Sequence, residues 1–433
     1  MMDSSVQIEN TLLEQCDHTT LANEELFEYL NGLWRGKKPP YVNVKVLRNT
    51  NFNNDGTLSL EDVAELPVEE KQFRIRKLVA GDIILERSGG GPKQPVGRVV
   101  FFDLPQEDYS FSNFTTCIRV KDWEVLNPEF LLYYLLSFYN QGNTNELQQR
   151  TTGIRNLNFS DYKKIAIPLP MIKEQTSIIF VLRKLQQAIA QQEQIITKTK
   201  ELKRSLMHRL FTYGLRGEEL KETEIGLMPK SWVVKRIENI VEKTSQKDMR
   251  KKPDVQFKYI DVSSISNDSF KITGSTTYKG SEAPSRARKI VRVNDVLFAT
   301  VRPTLKRIAY VGNEFDGEIC STAFCILRSV STLSSRYLYY CVQRDSFIES
   351  LGKLQRGASY PAITDGNIKD QLIPFPTSEE QKDIADILRD IDNKIDHETA
   401  KKDMLQELFK SMLQLLMTGQ VRVKDIDFGE ACE

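Results

Sequence analysis

The sequence predicts an α+β protein with two pseudo-repeated globular halves and two long helices packed against each other as an antiparallel coiled coil. Three observations carry that expectation. The first is a seam. Leu182, Leu185, Ile189, Gln192, Ile196, Thr199, Lys203, Leu206 and Leu210 follow one another in alternating steps of three and four, the spacing of one face of a coiled-coil helix. The second is its return 206 residues later, without insertion, as Leu388, Ile391, Ile395, Glu398, Lys402, Leu405, Phe409, Met412 and Leu416. The third is a shared approach: Pro168-Leu169-Pro170 then Glu174-Gln175, answered by Pro374-Phe375-Pro376 then Glu380-Gln381. A repeat of about two hundred residues is too long for a solenoid unit. It describes a whole domain present twice, each copy followed by a long helix.

The totals agree. A chain of 433 residues leaves room for two or three domains. Hydrophobic and charged contents of 40% and 27% are those of an ordinary soluble protein. A net charge of +1 excludes a globally basic nucleic-acid binder, so any basic surface is local. No apolar run reaches the length of a membrane span, and Met1-Met2-Asp3-Ser4-Ser5 lacks the regions of a signal peptide. Cys16, Cys117, Cys320, Cys325, Cys341 and Cys432 are scattered, with no CxxC pair. Reduced thiols in a cytoplasm are expected rather than disulfides or zinc.

The boundaries follow from the repeat. Residues 1–167 form the first globular domain, with 1–40 as an N-terminal segment, and 168–217 the first long helix. Residues 218–373 form the second domain, and 374–433 the second helix and its tail. Within the first half, 23–31 is expected as a helix capped by Asn23, with Glu24 and Glu25 in its first turn. Gly36 to Pro40 stops it. Residues 41–47 alternate as a strand, and 48–56 form an Asn-rich turn. A turn at 78–82 feeds a buried strand, 88–92 is a flexible Gly-rich loop, and 96–102 is a further strand. Residues 128–138 form a helix with Asn127 at its cap and Pro128 in first position. A polar loop at 150–158 and a short strand near Ile165 lead to the first long helix. In the second half, 225–232 is an ordered lead-in, 257–262 answers 42–47, and 293–298 answers 79–85. Likewise 333–338 answers 126–131, and 356–361 answers 152–156.

Little in the sequence asks for catalysis. Asn127-Pro128-Glu129-Phe130 resembles the Asn-Pro-Pro-Phe signature of adenine methyltransferases. It lacks the second proline, and its copy reads Ser334-Ser335-Arg336-Tyr337. A helix cap explains it. No GxGxxG loop opens a βα unit, and Gly89-Gly90-Gly91 lacks the Lys-Ser/Thr of a phosphate loop. It reads as a loop that lets backbone approach a partner. His18, His208 and His397 are far apart and read as surface residues rather than metal ligands.

The positive signal is electrostatic. From Glu242 to Arg307 basic residues outnumber acidic ones by roughly two to one. They cluster as Arg250-Lys251-Lys252, Arg286-Ala287-Arg288-Lys289, Arg302 and Lys306-Arg307, with Ser263, Ser264, Thr300 and Thr304 between. The first half offers Arg48, Asn49, Asn51, Asn53, Arg87, Ser88, Lys93, Gln94 and Arg98. Arg reads guanine and Asn or Gln reads adenine, while Lys and Ser or Thr grip phosphate. A solvated basic face is the plainer reading of the same charges. The loops of the two copies differ in residue type while their helices match, which is the pattern of two readers of different sequences. The candidates for DNA contact are Arg48, Asn51, Arg87, Lys93 and Arg155 in the first half, and Ser264, Arg286, Arg302, Lys306 and Tyr360 in the second. Those for helix pairing are Leu182, Leu185, Ile189, Gln192 and Leu206 against Leu388, Ile391, Ile395, Glu398, Phe409 and Met412. Helices of roughly 35 residues span on the order of 50 Å. Such a rod holds two reading heads roughly one to one and a half DNA turns apart. Gln192 and Glu398 repeat one polar position of the seam. They are either a register device or an imperfect heptad.

In combination these features resemble the specificity subunit of a type I DNA restriction–modification system, over nearly the whole chain. The resemblance rests on the doubled Ile-Pro-x-Pro…Glu-Gln from Ile167 and from Ile373, and on the tail Leu416-Met417-Thr418-Gly419. It also rests on the Gly81-Asp82 and Asn294-Asp295 turns before a buried strand, and on the polar loop ahead of each long helix. It implies two target-recognition domains, each reading half of a bipartite double-stranded DNA site. It implies helices that form an antiparallel coiled coil, and a chain with no active site, metal or cofactor of its own. The implied partners are two modification subunits that use S-adenosylmethionine to methylate adenine at N6, and restriction subunits that use ATP and Mg. Two departures stand out. The first copy has no clear counterpart of Met228-Pro229-Lys230-Ser231-Trp232, for which Leu33-Trp34-Arg35-Gly36 is the expected substitute. The first tail reads Thr212-Tyr213-Gly214, with an insertion. The implied circular permutation would bring 1–40 near the distal end of the second helix. Two other classes remain open. A self-contained adenine methyltransferase or nuclease would need the missing cofactor fingerprint. A coiled-coil scaffold that binds only protein would show no salt-sensitive DNA affinity.

Overall fold

The computed structural model describes residues 16–423 except 35, 37, 92–93, 106–107, 152–153 and 358–360. It divides into two compact units. One comprises residues up to 192 together with those from 401 onward, and the other comprises residues 193–400.

The first unit contains, in chain order, β1 (Asp17–Thr20), β2 (Phe27–Asn31), β3 (Tyr41–Leu47), β4 (Ala64–Glu69) and α1 (Glu70–Arg76). There follow β5 (Asp82–Glu86), β6 (Ser88–Gly90), β7 (Val99–Phe102), β8 (Tyr109–Phe111), β9 (Thr115–Val120) and α2 (Pro128–Asn140). Then come β10 (Gln148–Thr151), β11 (Ile154–Leu157), α3 (Phe159–Tyr162), β12 (Ala166–Leu169) and the long α4 (Ile172–Tyr213), which belongs to the second unit from residue 193 on. The second unit continues with β13 (Leu220–Thr223), β14 (Gly226–Pro229), β15 (Val233–Arg236), β16 (Gln256–Ile260), β17 (Thr276–Lys279) and β18 (Ala287–Ile290). It ends with β19 (Val296–Ala299), β20 (Ile308–Tyr310), β21 (Ile319–Ser321), β22 (Phe324–Leu327), α5 (Ser335–Cys341), α6 (Asp345–Gly352), α7 (Asp365–Lys369), β23 (Leu372–Phe375) and the long α8 (Ser378–Met417), which belongs to the first unit from residue 401 on.

Each unit is organised about one buried strand. In the first, every residue of β5 is buried, and the sheet runs β2-β9-β5-β7. Its counterpart β19 is equally buried at the centre of β20-β19-β22. A second sheet in each unit pairs a strand in parallel, β3 with β8 and β16 with β21. The turn before the central strand is held by a carboxylate. Asp82 accepts the Val79 N–H at 2.9 Å and Arg119 at 2.7 and 2.8 Å. Asp295 accepts the Arg292 N–H at 2.8 Å and Arg328 at 2.8 and 2.7 Å. The core of the first unit joins Ile83, Leu85 and Ile118 of the sheet to Phe130, Leu131 and Leu135 of α2 and to Ile178 and Leu182 of α4. Each such side chain, fully buried, contributes about 1.5–3 kcal/mol.

The long helices are 42 and 40 residues, longer than the expected span. In the first unit Leu182, Leu185 and Ile189 pack with Leu405, Phe409, Met412, Leu413 and Leu416. In the second unit Leu206, Leu210 and Phe211 pack with Ile384, Ala385 and Leu388. The first half of each helix meets the last half of the other, so the pair is antiparallel. Ile391, Ile395 and Glu398 are half-buried, while Gln192 is fully buried.

Three expectations are corrected. Residues 23–31 are not a helix. Asn23 does accept the Glu25 N–H, at 3.0 Å, but it caps a turn. The chain then enters β2, whose pairing with β9 outweighs the local helix signal. Residues 88–90 are a strand paired with β11 rather than a loose loop. Leu33-Trp34 does not replace the lead-in ending at Trp232. Trp34 is 65% exposed, whereas Trp232 is 1% exposed and donates its Nε1–H to Glu380 at 3.0 Å. β1 pairs with β12 as β15 pairs with β23, so the residue standing where Trp232 stands is Cys16.

Candidate nucleic-acid interface

In the first unit the chain leaves β3 through a tight 3₁₀ turn at Asn49–Asn51. Asn51 makes that turn. Its Oδ1 accepts the Arg48 N–H at 2.9 Å, and its Nδ2 donates to the Ser59 and Asp62 carbonyls at 3.1 and 3.0 Å. The turn is pinned from below by Arg98, which donates to the Phe52 and Asn49 carbonyls at 3.0 and 3.1 Å. Arg98 is itself ion-paired with buried Glu86 at 2.8 Å. The turn is tied sideways to β6, because Asn49 Nδ2 donates to the Ser88 carbonyl at 2.6 Å. Ser88 Oγ in turn donates to Asn156 Oδ1 at 2.6 Å across the β6–β11 pair, where Arg155 stands opposite Gly90. Arg87 stacks on Phe159, with its guanidinium 4.7 Å from the ring centre. Its Nη1 donates to Asn31 Oδ1 and Thr116 Oγ1 at 3.3 and 3.4 Å. Burial pushes this guanidinium down from its ordinary value.

Hydrogen bonds among Asn49, Ser88 and Asn156 therefore link the segments that carry Arg48, Asn51, Arg87 and Arg155. Arg48 leans on the Asp62 carbonyl at 3.4 Å, and Arg155 donates to Gln148 Oε1 at 3.2 Å. Asn51 is 2% exposed, and its amide holds the loop. Lys93 lies outside the described residues.

The second unit repeats the frame with other side chains. A 3₁₀ turn at Val262–Ser264 follows β16, and Ser264 Oγ accepts the Asp261 N–H at 3.3 Å, the station of Asn51. Arg307 takes the part of Arg98 and donates to the Val262 and Ile265 carbonyls. Arg302 and Lys306 flank the turn between β19 and β20 with φ of 49° and 53°. Those left-handed backbones cost about 1–3 kcal/mol each in non-glycine residues. The Arg302 N–H donates to the Pro361 carbonyl at 2.7 Å, which joins this turn to the polar loop that Tyr360 belongs to. Tyr360 itself lies outside the described residues. Lys306 is ion-paired with Asp345, which also takes Arg204 at 3.0 Å. The Lys306 ammonium, with Arg204 behind it, holds the Asp345 carboxyl below the usual range. Arg286 is exposed just before β18, on another sheet from Arg302. A cleft of about 1280 Å³ in this unit places Lys200, Arg204, Lys306 and Arg344 among the acids Asp345 and Asp392.

Sequence counting overstates the basic surface. Arg98 is buried, and so is Lys289, whose ammonium reaches the Phe324 carbonyl and Asp365 at 2.6 Å each. Arg250 is tied to Asp248 at 2.8 Å and depresses that carboxyl. Counting also misses Phe114. Its ring is 47% exposed, and its carbonyl accepts the Arg87 and Ser88 N–H groups at 2.9 and 3.1 Å. An aromatic in a turn between two strands was its one signal. Among the described residues no group of three or more His, Cys, Asp or Glu is placed to hold a metal ion. Among the same residues no helix is long and apolar enough to cross a membrane.

Residues 19–201 and 229–407 each match the family model of the type I restriction modification DNA specificity domain. The chain is similar to the type I restriction enzyme MjaVIII specificity subunit of Methanocaldococcus jannaschii, 26% identical over 330 residues, covering 72% of this chain and 75% of that one. It is similar to the putative type I restriction enzyme MjaX specificity subunit of the same organism, 25% identical over 367 residues, covering 82% of each. Among solved structures, the type I restriction–modification S subunit from M. genitalium covers 96% of this chain and 98% of its own, with a TM-score of 0.54. At 14% identity that likeness speaks for the fold alone.

Proposed function

Because the chain belongs to the type I restriction–modification DNA specificity family, as a non-catalytic recognition subunit, we propose that its two units read the two halves of one bipartite DNA site. The observation that carries this reading is one frame built twice with unlike side chains at matching stations. Arg48 and Asn51 in one unit answer to Asp261 and Ser264 in the other, on 3₁₀ turns pinned alike by Arg98 and Arg307. A frame holds position, and differing edges read differing bases.

In this reading residues 1–167 and 218–373 are the target-recognition domains, and 168–217 and 374–433 the helices between them. Arg48, Arg87, Lys93 and Arg155 face one half-site, and Arg286, Arg302, Lys306 and Tyr360 the other. Asn51 and Ser264 act by holding the turns. The seam of Leu182, Leu185, Ile189, Gln192 and Leu206 with Leu388, Ile391, Ile395, Glu398, Phe409 and Met412 fixes the length between the readers. Two modification subunits with S-adenosylmethionine then methylate adenine at N6, and restriction subunits with ATP and Mg cut, in the cytoplasm of a bacterium or archaeon.

The test is to co-express the chain with the modification subunit of its own system and map N6-methyladenine across the host genome. One bipartite motif methylated on both strands is expected. A stable complex that leaves no motif, with a chain whose duplex affinity is indifferent to salt, overturns the reading.

A further inference from the structure

Lys203 stands in the helix seam but does not pack as an apolar seam residue would. It is ion-paired with Asp392 of α8 at 2.7 Å, and its side chain is 12% exposed. Its ammonium lies 5.4 Å from the ring centre of Phe270 and 5.5 Å from that of Tyr340. Tyr340 donates its hydroxyl to Asp392 at 2.8 Å. One cation therefore joins both long helices to α5 and to the loop 266–271. A cation held over rings and shielded from water is attracted more strongly than an exposed one.

That loop continues the 3₁₀ turn at Val262–Ser264. Ile265 and Ile272 bridge across its base, and the Thr273 N–H donates to the Ser264 carbonyl at 2.8 Å. Asp268 reaches Lys200 of α4 at 2.7 Å, and Lys271 reaches Asp396 of α8. Those two pairs are exposed, and such pairs hold weakly. Phe270 is the firmer attachment, because it packs on the core of the unit. Its backbone is left-handed, with φ of 55°, a strained conformation for an aromatic residue that persists only where the surroundings hold it. The Tyr339 hydroxyl donates to its carbonyl at 3.0 Å, and its own N–H donates to the Ser266 carbonyl at 3.1 Å.

The first unit makes the same attachment with other chemistry. Phe52 and Leu58 bridge as Ile265 and Ile272 do, so Gly56, with φ of 86°, stands at the station of Phe270. Gln186 stands 206 residues before Asp392. It accepts the Tyr133 hydroxyl at 2.6 Å and donates to the Asp55 carbonyl at 2.8 Å. Phe409, 206 residues after Lys203, meets the Tyr133 ring at 6.4 Å. In each unit the loop that follows the 3₁₀ turn is fastened to the long helices, once by an amide and once by a cation between rings.

We propose that the loop 266–271 is a brace, with Phe270 and Lys203 as positioning residues. They touch no base. They hold the turn that carries Ser264 at one angle to the helices, so that a single spacer length is accepted. This rests on the DNA reading. One base pair more or less moves a half-site by about 3.4 Å and turns it by roughly 35°. A braced head cannot follow, and a displacement of even about 1 Å can cost roughly a hundredfold in rate. A head released from the brace swings and tolerates the change.

The test uses the full chain in complex with the modification subunit of its own system. Once the motif is mapped, methylation rates are measured on duplexes with the native spacer and with one base pair added or removed. Phe270→Gly removes the ring and relieves the backbone, as glycine does at this station in the first unit. Lys203→Met removes the cation, and Lys203→Arg restores one over the same rings. With the unaltered chain the changed spacers should react at about a hundredth of the native rate, and with Phe270→Gly or Lys203→Met at about a tenth. Lys203→Arg should match the unaltered chain, and both half-sites should keep their bases throughout. Spacer preference unchanged in Phe270→Gly overturns the brace and spares the DNA reading. So does an equal loss of rate on all three duplexes, the mark of simple destabilisation. So does a newly degenerate base in the second half-site, the mark of a base contact. If Lys203→Met fails to fold, Phe270→Gly decides alone. An unaltered complex that leaves no motif, with a chain whose duplex affinity ignores salt, sinks the DNA reading and the brace with it.

Discussion

Glu174, in the first turn of α4, takes a two-pronged ion pair from Arg422, just past the end of α8. The carboxylate is 2% exposed. Its counterpart 206 residues on, Glu380, accepts the Leu215 N–H at 3.1 Å and Trp232 Nε1–H at 3.0 Å. Each long helix thus begins by fixing the chain that leaves the other. Removing one partner of a buried pair strands the other charge, so Glu174→Ala is expected to destabilise the first unit by about 3 kcal/mol. Chemical denaturation measures this. The double variant Glu174→Met/Arg422→Met is expected to recover most of the loss, because two apolar groups leave no unpaired charge.

Gln175 and Gln381 explain why the doubled Glu-Gln is doubled. Gln175 accepts the Asn127 N–H at 2.9 Å and donates to the Val125 and Pro170 carbonyls at 3.0 and 2.8 Å. Gln381 accepts the Ser334 N–H at 2.9 Å and donates to the Thr332 and Pro376 carbonyls at 3.4 and 3.0 Å. Both are fully buried. Gln381→Leu leaves backbone groups without partners, at an expected cost of about 3 kcal/mol. Gln175→Leu should cost a similar amount in equilibrium unfolding. A loss confined to a few tenths would mean that water takes the place of the amide.

Those glutamines mark the limit of what one sequence discloses. Their repetition was legible, as were the strand at Tyr41–Leu47, the helix from Pro128 and the seam, because each is a local pattern of spacing or capping. What they clamp was not, because the partners are backbone groups some fifty residues away. β2 is hidden from its own sequence for the same reason. Asn23 and two glutamates signal a helix start, but the strand Phe27–Asn31 is decided by Cys117 and Ile118, far along the chain. Charge was legible only as a total. Nothing in the sequence separates Arg98 and Lys289, which are buried and paired, from Arg302, which is exposed.

Asp345 links stability and binding in the second unit. Its carboxyl is depressed in the folded state, chiefly by the hydrogen bond from Lys306. A depressed folded value gives stability that is present above the unfolded value of about 3.9 and lost as pH falls through the folded one. Asp345→Asn should therefore flatten the acid limb of the stability profile, read as denaturation midpoints between neutral and acid pH. It also releases Lys306 and Arg204. In the DNA reading, duplex affinity rises and the salt slope steepens by about one to two, since each phosphate contact adds about 0.9. An unchanged slope would remove Lys306 from the DNA face.

Arg302 is exposed on a turn that the Pro361 carbonyl holds in place. If its guanidinium meets a guanine edge, Arg302→Ala costs about 1–3 kcal/mol at one position of the second half-site and relaxes that position alone. The methylation map of the variant shows this as one degenerate base in an otherwise intact motif. A uniform loss over all sequences would assign Arg302 to phosphate.

The helices supply the last prediction, for in the proposed reading their length sets the spacer and can be increased. Seven residues inserted after Gln192 and seven after Ala400 add two turns to α4 and to α8. The seam then stays in phase, since a heptad drifts only about 20° from two full turns. The added length is about 10 Å, close to three base pairs at roughly 3.4 Å each. The spacer of the methylated motif should therefore grow by about three base pairs. DNA turns by roughly 100° over that distance while the helices barely rotate, so the longer protein should also methylate more weakly. Insertion into α4 alone shifts Leu206 and Leu210 away from Ile384 and Leu388 and is expected to unfold the second unit rather than move the spacer. A double insertion that folds, methylates and keeps the original spacer would show that the helices join the readers without setting their separation.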